Sequence, residues 1–231
     1  MEVAPSVVAA VASVLVEMGA QPDADPDALF DRGAHDLHEP LLGIMVARRV
    51  PIGAYGLLEY GLRASATVGD ALSRLARFYA SVTRRVRTEV AVVGGRTALV
   101  FHRAPNVAHS RHWIEMAAAA IAGRIAEGAG RPSVLHAVQF LHEHPDLSLH
   151  DRWVEALGAP VTFGARKDAL VFVDGALARS MSTGESRIAT SVDVELRALA
   201  QSQCGFPDAQ QLRLRAAILE RLADGVTLVS V

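Results

Sequence analysis

The sequence predicts an α+β domain: an antiparallel or mixed sheet of about four to six strands covered by helices, with a helical N-terminal portion and a helical C-terminal end. Three observations carry this. Several segments place apolar residues at helical spacing, while Thr88 to Val93 and Thr97 to Arg103 are β-branched runs joined by Gly94-Gly95, a two-residue hairpin signal. The third is order, because helices precede the hairpin and a helix, a strand, a helix, a strand pair and further helices come after it.

Val7 to Val16 is an apolar run without a preceding Lys or Arg, and it is far shorter than the roughly 20 residues needed to span a bilayer. Val7, Val11, Val14, Leu15 and Met18 share one face, Pro5 and Ser6 open the helix and Gly19 closes it. No membrane segment is read elsewhere. Gln21 to Asp27 is a Pro/Asp linker, from which Asp25 or Asp27 caps a short helix holding Leu29 and Phe30. Leu41 to Val50 is helical, and Ile52 to Leu62, punctuated by Gly53, Gly56 and Gly61, reads as an irregular turn or short strand. Thr67 to Ala80 returns to helical spacing, with Thr67 as N-cap and Asp70 in the first turn. His109 to Ala126 is a long Ala-rich helix, Ser133 to Leu141 a strand, and Leu149 to Leu157 a short helix closed by Gly158. Pro160 to Phe163 and Ala169 to Val173 are two more strands, and Ser186 to Ser202 and Gln210 to Leu222 the last helices. The division expected is 1–205 as the body and 206–231 as a linker helix with the residues after it.

Composition narrows the function. Of 231 residues, 51% are hydrophobic and 21% charged, which argues against disorder. Twenty-three basic residues face 25 acidic ones for a formal net charge of -2, so the chain lacks the basic footprint of a nucleic-acid binder. The lone Cys204 excludes a disulfide framework and any cysteine-pair zinc site, and fits a reducing cytoplasm.

Signals for catalysis are weak. His142, His144 and His150 gather with Glu143, Asp146 and Asp151, and His109 and His112 lie about one turn apart, residue types that zinc sites use. The zinc-protease pattern is broken by Pro145, and solvated or capping histidines account for the cluster equally well. Arg74, Arg77, Arg84, Arg85 and Arg87 form the densest positive patch, either an anion site or the polar side of an amphipathic helix. A phosphate loop and a nucleophile elbow are both missing. No catalytic residue, metal ligand or cofactor is assigned. The scarce aromatics are core by default, yet a pocket lined by some of them suits a small, partly apolar effector. Tyr55, Tyr60, His102, Trp113 and His142 are the candidate effector residues.

Three stretches carry a resemblance. Gly61-Leu62-Arg63-Ala64-Ser65-Ala66-Thr67-Val68-Gly69-Asp70-Ala71-Leu72, followed by Leu75, Phe78 and Tyr79, resembles a segment of the N-terminal effector domains of AraC-type bacterial transcription regulators. Phe140, His142 and Pro145, then Gly158-Ala159-Pro160-Val161-Thr162-Phe163-Gly164, are similar to that family's FxHxxP segment and the Gly-Ala-Pro-Val-x-Phe-Gly run after it. Leu214 to Leu222, then Ala223 to Val231, resembles the lead-in to its helix-turn-helix region. The resemblance implies a cytoplasmic, ligand-sensing and dimerising domain of the arabinose-binding type, with the Ser186 to Ser202 helix as a dimer surface, although Leu196 and Leu199 on it also read as core. In its terms, 206–231 is the linker helix and the start of the DNA-binding domain. It implies promoter DNA as a partner only through a missing C-terminal half of about another 100 residues, so the chain is expected to be a truncation. The alternative is a metal- or haem-dependent sensor, with His102 or His112 as haem ligand, or a small-molecule enzyme using the His142–Asp151 cluster.

Overall fold

The computed structural model describes residues 3–201 apart from 22, 24, 106–109 and 132–133. The expected helix Gln210 to Leu222 and the whole 206–231 segment lie outside the described residues. Eight α-helices and a five-stranded mixed sheet occupy the described part: α1 Pro5–Glu17, α2 Pro26–Leu37, α3 Leu42–Arg49, α4 Leu57–Arg63, α5 Val68–Phe78, β1 Val86–Val93, β2 Arg96–Arg103, α6 Arg111–Gly128, β3 Leu135–Gln139, α7 His150–Leu157, β4 Val161–Thr162, β5 Asp168–Phe172 and α8 Ser186–Gln201. No helix among them is long and apolar enough to cross a membrane.

The sheet runs β1-β2-β5-β3-β4. All neighbours are antiparallel except β3 and β4, which the crossover through α7 makes parallel. The hairpin forms where the sequence predicts it, with Val93 paired to Arg96 and both Gly94 and Gly95 at positive φ, the geometry a two-residue loop demands. Alternation sorts the strand residues by size. Leu99, Phe101, Val138, Leu170 and Phe172 enter the main core with the helices, whereas Ala98, Val100, Ala169 and Val171 form a thin cluster on the opposite face.

Local chemistry explains the helix ends. Thr67 and Asp70 form a reciprocal capping box at α5: the Thr67 hydroxyl accepts from the Asp70 N–H at 3.1 Å and the Asp70 carboxylate accepts from the Thr67 N–H at 3.1 Å. Gly158 closes α7 in the left-handed region, at φ 66°. A side chain at Gly43 would collide with the His112 carbonyl, so this glycine sets how closely α3 and α6 approach.

The expectation for Ile52 to Leu62 is corrected. Residues 51–56 turn, but Leu57 to Arg63 is helix, and its residues from Leu57 to Leu62 are buried on all sides. Such a helix shows no amphipathic period, and Gly61 inside it weakens its propensity. The glycine is there for packing: a Cβ at Gly61 would lie 3.0 Å from Val192 on α8. On α8, Val192, Leu196 and Leu199 are buried, so those leucines serve the core, while Val194 points outward and is exposed.

Candidate functional site

A stripe along α6 builds one wall of the site. Trp113, Ala117, Ala120, Ile121 and Arg124 recur at helical spacing and border two adjoining cavities. The small Ala117 and Ala120 leave room that the neighbouring elements do not fill. Tyr55 comes from the turn before α4, Leu58, Glu59 and Leu62 from α4, and Leu75 and Tyr79 from α5 and the short 3-10 turn after it. Thr83, Arg85 and Val86 lead into β1, and Arg103 ends β2. Val3 reaches the same place because it pairs with Thr83 while the Ala4 N–H donates to the Val82 carbonyl at 2.8 Å.

The two lobes share Tyr55, Tyr79, Val82 and Ala117, and each encloses about 40 Å³. In this state each holds about three waters at most. The first lobe continues past Trp113 to Arg85 and Arg103. The second is apolar apart from Tyr55, Tyr79 and an ion pair in which the Arg124 Nε donates to the Glu59 carboxylate at 2.8 Å. Glu59 is buried and also accepts from the N–H groups of Gly53, at 2.6 Å, and Tyr55, at 3.4 Å.

Burial, reinforced by the nearby Tyr79 and Glu59 and opposed by Arg124, holds the Tyr55 phenol well above the ordinary tyrosine range. Burial does the same for Tyr79. Both therefore stay neutral and able to donate. The Tyr55 hydroxyl is shut away from solvent and meets no hydrogen-bond partner among the described residues, an expensive arrangement unless something else meets it.

The five candidate residues are not brought together. Tyr55 and Trp113 border the first lobe. The Trp113 indole donates to the Pro26 carbonyl at 3.0 Å and its ring stands edge-on to Phe30, which leaves the ring face available as wall. Tyr60 is buried on α4 and is not among the residues bordering either lobe. His102 lies on β2 and pairs with Glu89 at 2.8 Å in a largely exposed position. His142 lies on the other side of α6, stacked on Phe140 at 5.1 Å, with its Nε2 3.4 Å from the buried Glu115 carboxylate.

The histidine cluster is a packed assembly of rings. His144 and His150 face each other at 3.0 Å, and His144 and the fully buried Trp153 both pack on Phe163. His112, a candidate haem ligand by residue type, is buried, and its Nδ1 accepts from the Gly43 N–H at 3.4 Å. Among the described residues, no three His, Cys, Asp or Glu side chains are grouped so as to hold a metal ion. The arginine patch also divides: Arg74 pairs with Asp193 on α8 at 2.8 Å, Arg77 lies over the Phe78 ring, and Arg85 borders the first lobe.

Known proteins agree with this architecture. The model of the arabinose-binding domain of AraC transcription regulators, N-terminal, matches residues 22–181. The chain belongs to this family. The AraC-type domain also resembles the crystal structure of the transcriptional regulator CdpR from Pseudomonas aeruginosa, with a TM-score of 0.61 and 18% identity over 95% of this chain and 79% of that one, a likeness of fold. No curated protein matches the sequence. As a member of the family, the AraC-type domain is a ligand-sensing regulatory domain.

Sequence reasoning missed Glu59, Tyr79, Arg103 and Arg124 as part of the site. Two signals were available. Glu59 is a carboxylate among Leu57, Leu58, Tyr60 and Leu62, and Arg124 continues the Trp113-Ala117-Ala120-Ile121 stripe as its one charged member.

Proposed function

We propose that the two-lobed cavity is the effector site of this AraC-type sensor, with Tyr55 and Trp113 as contacts, and that the body through residue 205 is the unit that senses. The observation that carries the reading is the Tyr55 hydroxyl, buried at the wall between the lobes without a hydrogen-bond partner among the described residues. An effector supplies that partner. It shifts the balance between two states only as far as it binds them unequally, and opening the shared Tyr55–Tyr79 wall provides such a pair of states. Occupancy is then passed to DNA binding, as a transcription regulator requires. The role is one of binding, with no catalytic step, in the cytoplasm.

A thermal-shift screen against metabolites tests this directly. Saturation to about 100-fold above Kd adds about 2.7 kcal/mol of apparent stability. The expected result is a shift with some metabolite that Ala117→Leu, which fills the wall common to both lobes, abolishes. A shift that survives Ala117→Leu places the effector elsewhere and overturns the assignment. Pairing of two copies through the outer face of α8 belongs to the same reading; sedimentation should show a dimer that Val194→Arg dissociates.

A further inference from the structure

The walls of the two lobes select among chemical classes of effector, and this inference rests on the cavity being the effector site. The residues bordering the first lobe include two arginines, Arg85 and Arg103, and no aspartate or glutamate. Asp168 takes the Nε and Nη2 of Arg103, at 2.7 and 3.0 Å, which leaves its Nη1 donors without a partner among the described residues. Asp168 itself is buried and does not border the lobe. A carboxylate fits that edge, since guanidinium groups form charge-assisted, geometrically matched bonds with it. A cation would find no carboxylate at the wall.

The rest of the wall is apolar. Beyond Tyr55 and Tyr79 the second lobe presents Leu58, Leu62, Leu75 and Ile121, and its one acid and one base, Glu59 and Arg124, are engaged with each other. A sugar carries a hydroxyl on nearly every carbon, and each one buried there without a partner would cost free energy. The wall has too few uncommitted polar groups to meet them. One hydrogen-bonding atom is provided for, at the Tyr55 hydroxyl.

We infer that the effector is a small amphipathic monocarboxylate. Its anionic head sits at Arg85 and Arg103. Its apolar body passes between Tyr55 and Tyr79, displacing them so that the lobes join, and ends against the leucines of α4 and α5.

The test titrates the full chain with 3-phenylpropionate, hexanoate and octanoate, with the amide and the amine of matched length, and with L-arabinose, read by thermal shift and by the fluorescence change that Trp113→Phe removes. A carboxylate should bind saturably and about tenfold or more tighter than its amide, the scale of one charge-assisted contact. Arg85→Gln should reduce carboxylate binding to the level of the amide while leaving the amide unchanged, and Ala117→Leu should weaken both. Arg103→Lys, which keeps the charge and the fold but loses the planar fork, should weaken the carboxylate alone. Amide, amine or arabinose binding as tightly as the carboxylate, and sensitive to Ala117→Leu, overturns the anion class and leaves the cavity as effector site. Carboxylate binding insensitive to Ala117→Leu overturns both. Failure of every probe overturns the amphipathic class, and the metabolite screen then decides separately whether the cavity senses anything else.

Discussion

Helix α6 separates two aromatic regions that differ in one respect: one is filled and the other is not. On one face Glu115 looks toward His142 and the rings beyond it, where His144 lies 4.2 Å from Phe163 by ring centroid and Trp153 is fully buried. Two residues further on, Ala117 faces the opposite way and meets Tyr55 and Tyr79 across open space. The histidines draw attention as chemistry-bearing residues, yet they act as packing rings. The room lies where alanines stand opposite tyrosines. Residue type alone is therefore a poor guide to the site, and the side-chain volume missing from a helix face is a better one.

The contrast predicts unequal responses to mutation. The largest effect belongs to the filled region: Trp153→Ala should cost about 3–5 kcal/mol in urea unfolding, because a close-packed shell cannot collapse onto so large a void. A value under about 1 kcal/mol would mean that the region is as loose as the cavity. Next is the charged wall of the cavity. Arg124→Met removes the partner of the buried Glu59 and should cost about 3 kcal/mol, with Glu59→Gln in the same chain restoring much of it.

Acid should distinguish the two regions as well. Burial, only partly offset by the Glu143 carbonyl and Glu115, holds the His142 imidazole below its ordinary pKa of 6.5; Asp168 raises it slightly and Arg111 lowers it. The unfolded chain then binds the proton more readily than the folded one, so stability falls as pH drops below about 6.5. Burial and the neighbouring His150 lower His144 in the same sense. Melting temperature should decline between about pH 7.5 and 5.5, less steeply in His142→Gln, whereas Tyr55→Phe should leave the slope unchanged because its phenol is neutral throughout. The smallest expected effect is Tyr55→Phe on stability itself, within about 0.5 kcal/mol of zero or slightly stabilising, since it removes a hydroxyl that meets no partner. A loss above about 1 kcal/mol would show that the hydroxyl is paired in solution and would remove the main support for the effector site.

Legibility varies by element. The β1–β2 hairpin, the α5 capping box and the α7 stop each depend on neighbours in sequence, namely Gly94-Gly95, Thr67 with Asp70, and Gly158. All three are readable from the order of residues alone. The helix α4 is not, because being buried on every side erases the period that marks a surface helix, and its Gly61 makes sense only beside Val192. Of the five candidate effector residues, Tyr55 and Trp113 border the first lobe while Tyr60, His102 and His142 do not. Each of the five is plausible by type, but which ones share a space depends on helices far apart in the chain.

The sequence by itself determined the α+β class, the strands and their hairpin, and the family, because these rest on periodicity, turn chemistry and ordered motifs that lie along the chain. Only the tertiary structure decided where the cavity lies, that Glu59 from α4 meets Arg124 from α6, and that Asp168 leaves part of Arg103 uncommitted at the wall. Those facts arise from packing between segments distant in sequence, where a void is set by what neighbouring elements fail to fill.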